Sequence, residues 1–299
     1  MNKLSINACP LCGGTHLKRV MTCTDFYASG EQFDVMSCED CGFTFTQDVP
    51  IEAEIGRYYE TPDYISHSDT KKGAMNAIYH QVRKYMLGKK ARLVAKESHR
   101  KRGRLLDIGT GTGYFAATME QRGWKVEAIE KNAQARVFAK EHFGLEVKGE
   151  EALQEFESGS FDVITLWHVM EHLEHLDETW ECLRGLLSDR GVLIVAVPNC
   201  SSYDAGKYGE YWAAYDVPRH LWHFTPVTIQ QLASKHGFIM AARHPMPFDA
   251  FYVSMLSEKH RGSSFPFVKG MCTGAVAWLS ALGKKERSSS MIYVFRKKR

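Results

Sequence analysis

The strongest constraint on this chain is the run Leu105-Leu-Asp-Ile-Gly-Thr-Gly-Thr-Gly-Tyr-Phe-Ala116, where an apolar strand meets three alternating glycines and then an amphipathic helix. Glycine at 109, 111 and 113 lets the backbone turn tightly and approach a bound molecule with no Cβ in the way. A second acid, Glu130, closes the next apolar run, Val126-Glu-Ala-Ile-Glu130, where it can accept both hydroxyls of a ribose. Together these features predict a nucleoside-cofactor pocket at the carboxyl ends of parallel strands. A dinucleotide fingerprint does not fit, because the place three beyond its second glycine is Tyr114 rather than Gly or Ala. Asp107, two residues before the first glycine, suits a cationic, non-phosphorylated ligand.

A chain of 299 residues with 44% hydrophobic and 12% aromatic content can bury a sizeable core, as one large domain or one domain with a small appendage. Its net charge of +3 names no partner, but ten Lys or Arg residues fall between Arg83 and Arg104 against one acid, Glu97. Such a stretch reads first as a solvated helix and its exit loop, and second as a surface that steers an anionic substrate, a nucleotide-linked sugar or RNA. The start, Met1-Asn-Lys-Leu-Ser, has no signal-peptide pattern, and Phe265 to Gly283 is too short and mixed to span a bilayer. No membrane insertion and a cytoplasmic location, with the eight cysteines reduced, are expected.

Cys9-Pro-Leu-Cys12 and Cys38-Glu-Asp-Cys41 form two Cys-x-x-Cys knuckles, each followed by glycine. Two such pairs across a loop of 25 residues supply four thiolates for a tetrahedral, structural Zn²⁺ in a zinc ribbon. Cys23, outside the pattern, reads as a core thiol.

Downstream, Gly56 to Ile65 is aromatic and turn-rich and reads as a hinge against the pocket, and a helical pattern runs from Lys71 to Ser98. Strand signals follow at Leu105–Ile108, Val126–Ile129, Leu145–Val147, Phe161–Leu166, Val192–Val197, Ile239–Arg243 and Met291–Phe295. Helical patterns intervene at Tyr114–Arg122, Ala133–His142 and Glu174–Leu187, and Thr225-Pro226 opens another to His236. This alternation predicts an α/β fold: a seven-stranded, mostly parallel sheet flanked by helices, behind a small N-terminal zinc ribbon. The expected organisation is ribbon 1–50, helical linker or lid 51–100 and catalytic domain 101–299, with a substrate-side insert at 245–289.

The glycine-rich segment resembles motif I of the class I S-adenosylmethionine (SAM)-dependent methyltransferases. Phe161-Asp-Val-Ile-Thr-Leu-Trp-His-Val-Met-Glu-His-Leu-Glu-His175 resembles the fourth strand and following loop of the same class. The resemblance implies SAM as cofactor, held by Asp107, Gly109, Gly111, Gly113 and Glu130, with Trp167 and His168 over it. It also implies a residue near the adenine after the third strand, where Glu151 is preferred and Glu150 is the alternative. The histidines at 168, 172 and 175 invite a metal, but 168 and 172 share a face only on a helix. Loop-fixing hydrogen bonds from Glu171 and His172 are the expected role.

Tyr215-Asp-Val-Pro-Arg-His-Leu-Trp-His-Phe-Thr-Pro226 lies after the fifth strand, where substrate-facing lids belong, and its Pro-Arg-His-Leu-x-His-Phe-Thr string resembles one in bacterial small-molecule methyltransferases. Methyl transfer needs an aligned acceptor and removal of its proton, so His220 or His223 is expected to act as general base. A ribbon joined to such a domain resembles a bacterial subgroup that methylates sugars, polysaccharides or secondary metabolites, which implies a small-molecule or sugar-linked acceptor and O- or C-methylation. Two alternatives stand beside it. One is an RNA methyltransferase gripping phosphates with the ribbon and the 83–104 segment, which the pI near 8.3 and the lack of a base-amine motif make unlikely. The other is a non-catalytic zinc-ribbon scaffold, against which the intact Asp107, glycines and Glu130 argue.

Overall fold

The computed structural model describes residues 3–59, 74–246 and 248–298, with the side chains of 74–80 excepted. Residues 60–65 of the expected hinge and 71–73 of the expected first helix lie outside this set.

The N-terminal fifty residues form β1 (Lys3–Leu4), β2 (Leu17–Thr24), β3 (Gln32–Cys38), β4 (Thr44–Thr46) and β5 (Val49–Pro50). The long helix α1 (Ala74–Ser98) follows, and then strand and helix alternate: β6 (Arg104–Ile108), α2 (Tyr114–Glu120), β7 (Lys125–Ile129), α3 (Ala133–Phe143), β8 (Val147–Lys148), β9 (Phe161–Trp167), α4 (Leu176–Leu186) and β10 (Leu187–Pro198). Short α5 (Tyr203–Tyr208) and β11 (Trp222–His223) precede α6 (Pro226–Lys235) and β12 (Phe238–Pro245). Two helices, α7 (Asp249–His260) and α8 (Pro266–Gly283), fill the expected insert before β13 (Ser290–Lys297). No helix of the described residues is long and apolar enough to cross a membrane.

Seven strands make one sheet in the order β12-β13-β10-β9-β6-β7-β8, and β13 alone runs against the others. Burial explains this: β9 and the 192–198 stretch of β10 are dominated by apolar residues that are almost all inaccessible, as strands covered on both faces must be. Two expected elements shifted. Leu145 leaves the third strand and packs with Ala116, Ala117 and Ala139 between helices, so pairing begins only at Val147. β10 starts at Leu187, earlier than Val192, across a register break. Helix α6 opens as its sequence indicates, with Thr225 and Thr228 forming a reciprocal cap and Pro226 in the first turn.

The N-terminal lobe is not a detached appendage. Its sheet, β2-β3-β4, is completed by β11, with Trp222 opposite Phe45 and His223 opposite Thr44. Phe43, Phe45 and Val49 share one core with Leu106, Ile164, Leu166 and Phe224. Arg219, 2% exposed, is the polar tie. Its guanidinium bonds Asp25 (3.1 Å), both oxygens of Asp216 (2.6 and 3.0 Å) and the Tyr58 carbonyl (2.8 Å), and lies over the Tyr27 ring. Asp25 in turn caps its own turn, accepting from the backbone of Tyr27, Ala28 and Ser29. Removing one partner of a buried ion pair strands the other charges. Arg219→Ala is therefore expected to lower unfolding free energy by about 3–5 kcal/mol in urea denaturation. Arg219→Lys, unable to fork between two carboxylates, should recover little of it.

Candidate active site

Strand order reverses between β6 and β9, since β6 leads on to β7 and β8 on one side while β9 leads to β10 on the other. The crevice at their carboxyl ends is where an open α/β sheet binds ligands. Asp107 ends β6 there. It is 1% exposed, its Oδ1 accepts from Thr165 Oγ1 of β9 at 2.7 Å, and its Oδ2 is buried with no hydrogen-bond partner among the described residues. Burial pushes its carboxyl up to about 6, against the pull of the Thr165 and Thr110 hydroxyls and of Lys90. A buried carboxylate oxygen left open at a crevice is a place for a cationic or donating ligand.

The glycine turn is built as expected, with φ of 68°, 57° and 82° at 109, 111 and 113. Gly109 and Thr110 donate to the Ile129 carbonyl, which stitches the turn to β7. A Cβ on Gly109 would strike Val169 at 2.4 Å, whereas a Cβ on Gly111 would stand in open space, the side from which a ligand can approach. Glu130 Oε2 accepts from Gly111 N and Oε1 from Asn132 N, both at 2.8 Å. Each oxygen keeps a further lone pair, so the carboxylate is held in place and still able to accept.

Beyond β8 the two acids at 150 and 151 differ. Glu151 is exposed and curls back over Gly149, while Glu150 is half-buried within 4.0 Å of Lys131, and burial raises its pKa against the pull of Lys131, with Glu52, Glu130 and Glu151 adding to the rise. Of the two, Glu150 is the more buried and feels the charge of Glu130.

Trp167 closes β9 with its ring edge-on to Phe115 and under Lys90 Nζ. His168 takes a left-handed φ of 59°, and its N–H donates to the Ala196 carbonyl. Its ring stands between Glu171 and Asp249, at 3.3 Å from each. Burial alone would depress it, but the two carboxylates outweigh that and hold it protonated, up to about 9. Asp249 comes from the insert and carried no sequence signal.

The two candidate bases separate. His223 is 4% exposed and bonds Thr46 Oγ1 at 2.9 Å, while that hydroxyl donates to the His220 carbonyl. It faces the N-terminal lobe, and burial pushes it down to about 3. His220 instead donates Nδ1–H to the Ala214 carbonyl at 2.8 Å and meets His172 edge-on, ring centroids 4.5 Å apart. His172 is fixed by the Arg219 carbonyl, as the loop-anchoring expectation had it, and burial, with His220, pushes it down to about 4. His175, exposed, stands apart before α4. In the lobe, Sγ atoms of Cys9 and Cys41 and of Cys12 and Cys38 are 3.5 Å apart, and all four lie within 4.8 Å of one another. Gly13 and Gly42 take left-handed φ of 75°, turning each knuckle toward that point. Cys23 is a buried thiol.

Residues 78–242 match the family described as methyltransferase domain. The chain belongs to this family. A ubiquinone biosynthesis O-methyltransferase of Caulobacter sp. (strain K31) is 35% identical over 104 residues, covering 32% of this chain and 41% of that protein. The chain therefore matches less than half the length of this curated relative. Among solved structures, a protein described as a sarcosine dimethylglycine methyltransferase from Galdieria sulphuraria superposes with TM-score 0.50 at 16% identity, over 72% of this chain and 84% of its own. Geranyl diphosphate C-methyltransferase from Streptomyces coelicolor A3(2) gives TM-score 0.50 at 13% identity, over 80% and 86%. The methyltransferase family thus has its match over the crevice described above, and the solved structures share the fold.

Asp107 makes the ligand-free protein pH-sensitive. A carboxyl raised to about 6 on folding adds stability that is complete below its unfolded value and fades as pH climbs through 6. Between pH 4 and 7 the wild type should lose about 2–3 kcal/mol relative to Asp107→Asn, measured by urea denaturation at each pH.

Proposed function

We propose that this protein is a SAM-dependent methyltransferase acting through oxygen or carbon on a small-molecule or sugar-linked acceptor. The observation that carries the reading is the buried, unpartnered Asp107 Oδ2 beside the open face of Gly111, with Glu130 held ready at the same crevice. These residues fit the cofactor: Glu130 would accept the ribose hydroxyls, Glu150 would face the adenine in place of Glu151, and ionised Asp107 would meet the cationic end. Trp167 and His168 would form the wall toward the acceptor. Bound SAM supplies an electrophilic methyl group on sulfur and needs little activation. The chain's own task is to orient the acceptor, exclude water and take up a proton.

His220 suits the last role and His223 does not. With Nδ1–H committed to Ala214, a neutral His220 presents a free lone pair on Nε2, whereas His223 is turned to Thr46. An RNA acceptor is disfavoured by the basic segment itself, which divides its charge: Lys90 turns over Trp167, Arg100 pairs with Asp162 and Arg104 covers Phe161. We also read residues 1–50, 51–100 and 101–299 as lobe, helical linker and catalytic part working as one unit, because β11 of the catalytic part pairs with β4 of the lobe.

Calorimetry with S-adenosylhomocysteine tests the cofactor. Wild type should bind, Glu130→Ala should bind about 1.5–3 kcal/mol more weakly, and His220→Ala should bind normally while losing turnover by about two to four orders of magnitude. Absent binding, or preference for NAD, overturns the reading.

Cys9, Cys12, Cys38 and Cys41 would hold a structural zinc. Zn–S bonds of about 2.3 Å place tetrahedral sulfurs about 3.8 Å apart, a spacing this cluster brackets. Elemental analysis of protein purified without added metal should find zinc, and Cys38→Ser should release it. Because the lobe's sheet ends in β11, that loss should lower turnover more than it lowers S-adenosylhomocysteine affinity. Metal-free protein of full thermal stability would remove the zinc.

A further inference from the structure

Glu171, His172 and His220 each offer a donor atom within 4.8 Å of the other two, a grouping unseen in sequence because His220 lies far beyond the other pair. Glu171 is wholly buried. Its Oε1 takes the bond from His168, and its Oε2 is buried with no hydrogen-bond partner among the described residues.

The tautomers of the two imidazoles follow from their backbone partners. His220 Nδ1–H donates to the Ala214 carbonyl at 2.8 Å, and His172 Nδ1 stands 3.0 Å from the Arg219 carbonyl, which can only accept. The Tyr59 hydroxyl is 3.0 Å from that same His172 nitrogen. A neutral ring that donates through Nδ1 carries its lone pair on Nε2. Asp216 adds no bond to the cluster: its oxygens are taken by Arg219, and it stands 3.9 Å from His220 Nε2, too far to accept. Two imidazoles, each with its Nδ1 turned to a carbonyl, and one carboxylate therefore bring ligand atoms within 4.8 Å of one another. Acceptors gathered in a buried site call for a positive charge.

We propose that Glu171, His172 and His220 form a binding site for a divalent first-row cation such as Mn²⁺, separate from the four cysteines. Two imidazoles and one carboxylate suit such an ion and leave coordination positions open. Both rings are already braced by carbonyls on the opposite nitrogen, the arrangement that fixes the tautomer of metal-binding histidines. Donor atoms drawn to about 2.1 Å from an ion lie about 3.0–3.5 Å apart, so the side chains close in slightly when it binds.

The inference rests on the methyltransferase reading and refines it toward a hydroxylated acceptor. An ion held there would take the acceptor's hydroxyl oxygen at one of its open positions and make the hydroxyl proton more acidic. The proton passes to solvent, the oxygen lone pair forms the new O–CH₃ bond, and the S–CH₃ bond of SAM breaks to leave the neutral thioether. His220 then serves as ligand, its Nε2 lone pair occupied by the ion instead of by the proton.

The test titrates Mn²⁺ into the full-length protein and follows the free-ion signal by electron paramagnetic resonance. Thiolates are poor Mn²⁺ ligands, so the cysteine cluster stays silent. The expected result is one Mn²⁺ per chain, with affinity reduced roughly tenfold or more by Glu171→Gln and by His220→Asn while S-adenosylhomocysteine still binds. If Glu171→Gln fails to fold, His172→Gln gives the same readout. Wild type that leaves the Mn²⁺ signal unchanged, or variants that bind like wild type, overturns the site. S-adenosylhomocysteine binding with no Mn²⁺ bound defeats the ion and spares the methyltransferase reading. Mn²⁺ binding with no nucleoside bound does the reverse.

Discussion

Arg219 sits where three separate parts of the chain meet, and its charge is balanced only when all three are in place. Asp25 comes from the turn after β2, the Tyr58 carbonyl from the segment leaving the lobe, and Asp216 from the loop that carries His220. Burying one guanidinium and two carboxylates is costly, so such a cluster adds little net stability over an apolar packing of the same volume. What it contributes is selection among arrangements. Any slip of the 215–224 loop against the lobe would leave a buried charge without its partner. The same peptide that carries the guanidinium also supplies the carbonyl that braces His172, so the electrostatic tie and the orientation of the site share one residue.

The crevice is organised from the opposite direction, by backbone. Glu130 is held by two peptide N–H groups, and the glycine turn is stitched to the Ile129 carbonyl. None of these bonds depends on the lobe. On the reading proposed above, the nucleoside side would be built from one βαβ unit and the acceptor side from distant segments. The insert joins the acceptor side through Asp249, which bonds His168.

This division also decides what could be read from the residues alone. The glycine turn, Glu130, Asp107 and the cysteine knuckles are local patterns, with the meaning contained in a short window, and the structure forms each turn where its residues stand. The strand boundaries near Leu145 and Leu187 shifted because burial between helices outweighed local strand preference. The choice between Glu150 and Glu151 was not legible because both open one short turn at 150–155, where only packing makes Glu150 the more buried. The acceptor side was least legible. Lys90 looked like one more charge on a basic helix, Asp249 one acid in an insert, and His172 and His220 two histidines with no shared periodicity. Only tertiary packing brings them together.

The strand β11 has a bearing on how the chain comes to be made. Asp25 and Arg219 are 194 residues apart, and β4 waits for the same stretch of chain to supply its neighbour. At a synthesis rate of roughly 5–20 residues per second, the emerging lobe spends about ten seconds or more with an open sheet edge and a buried acid unanswered. An early metal clasp at the knuckles, formed from residues 9 to 41 alone, would keep that half-made sheet from pairing with its neighbours on the polysome until its last strand arrives.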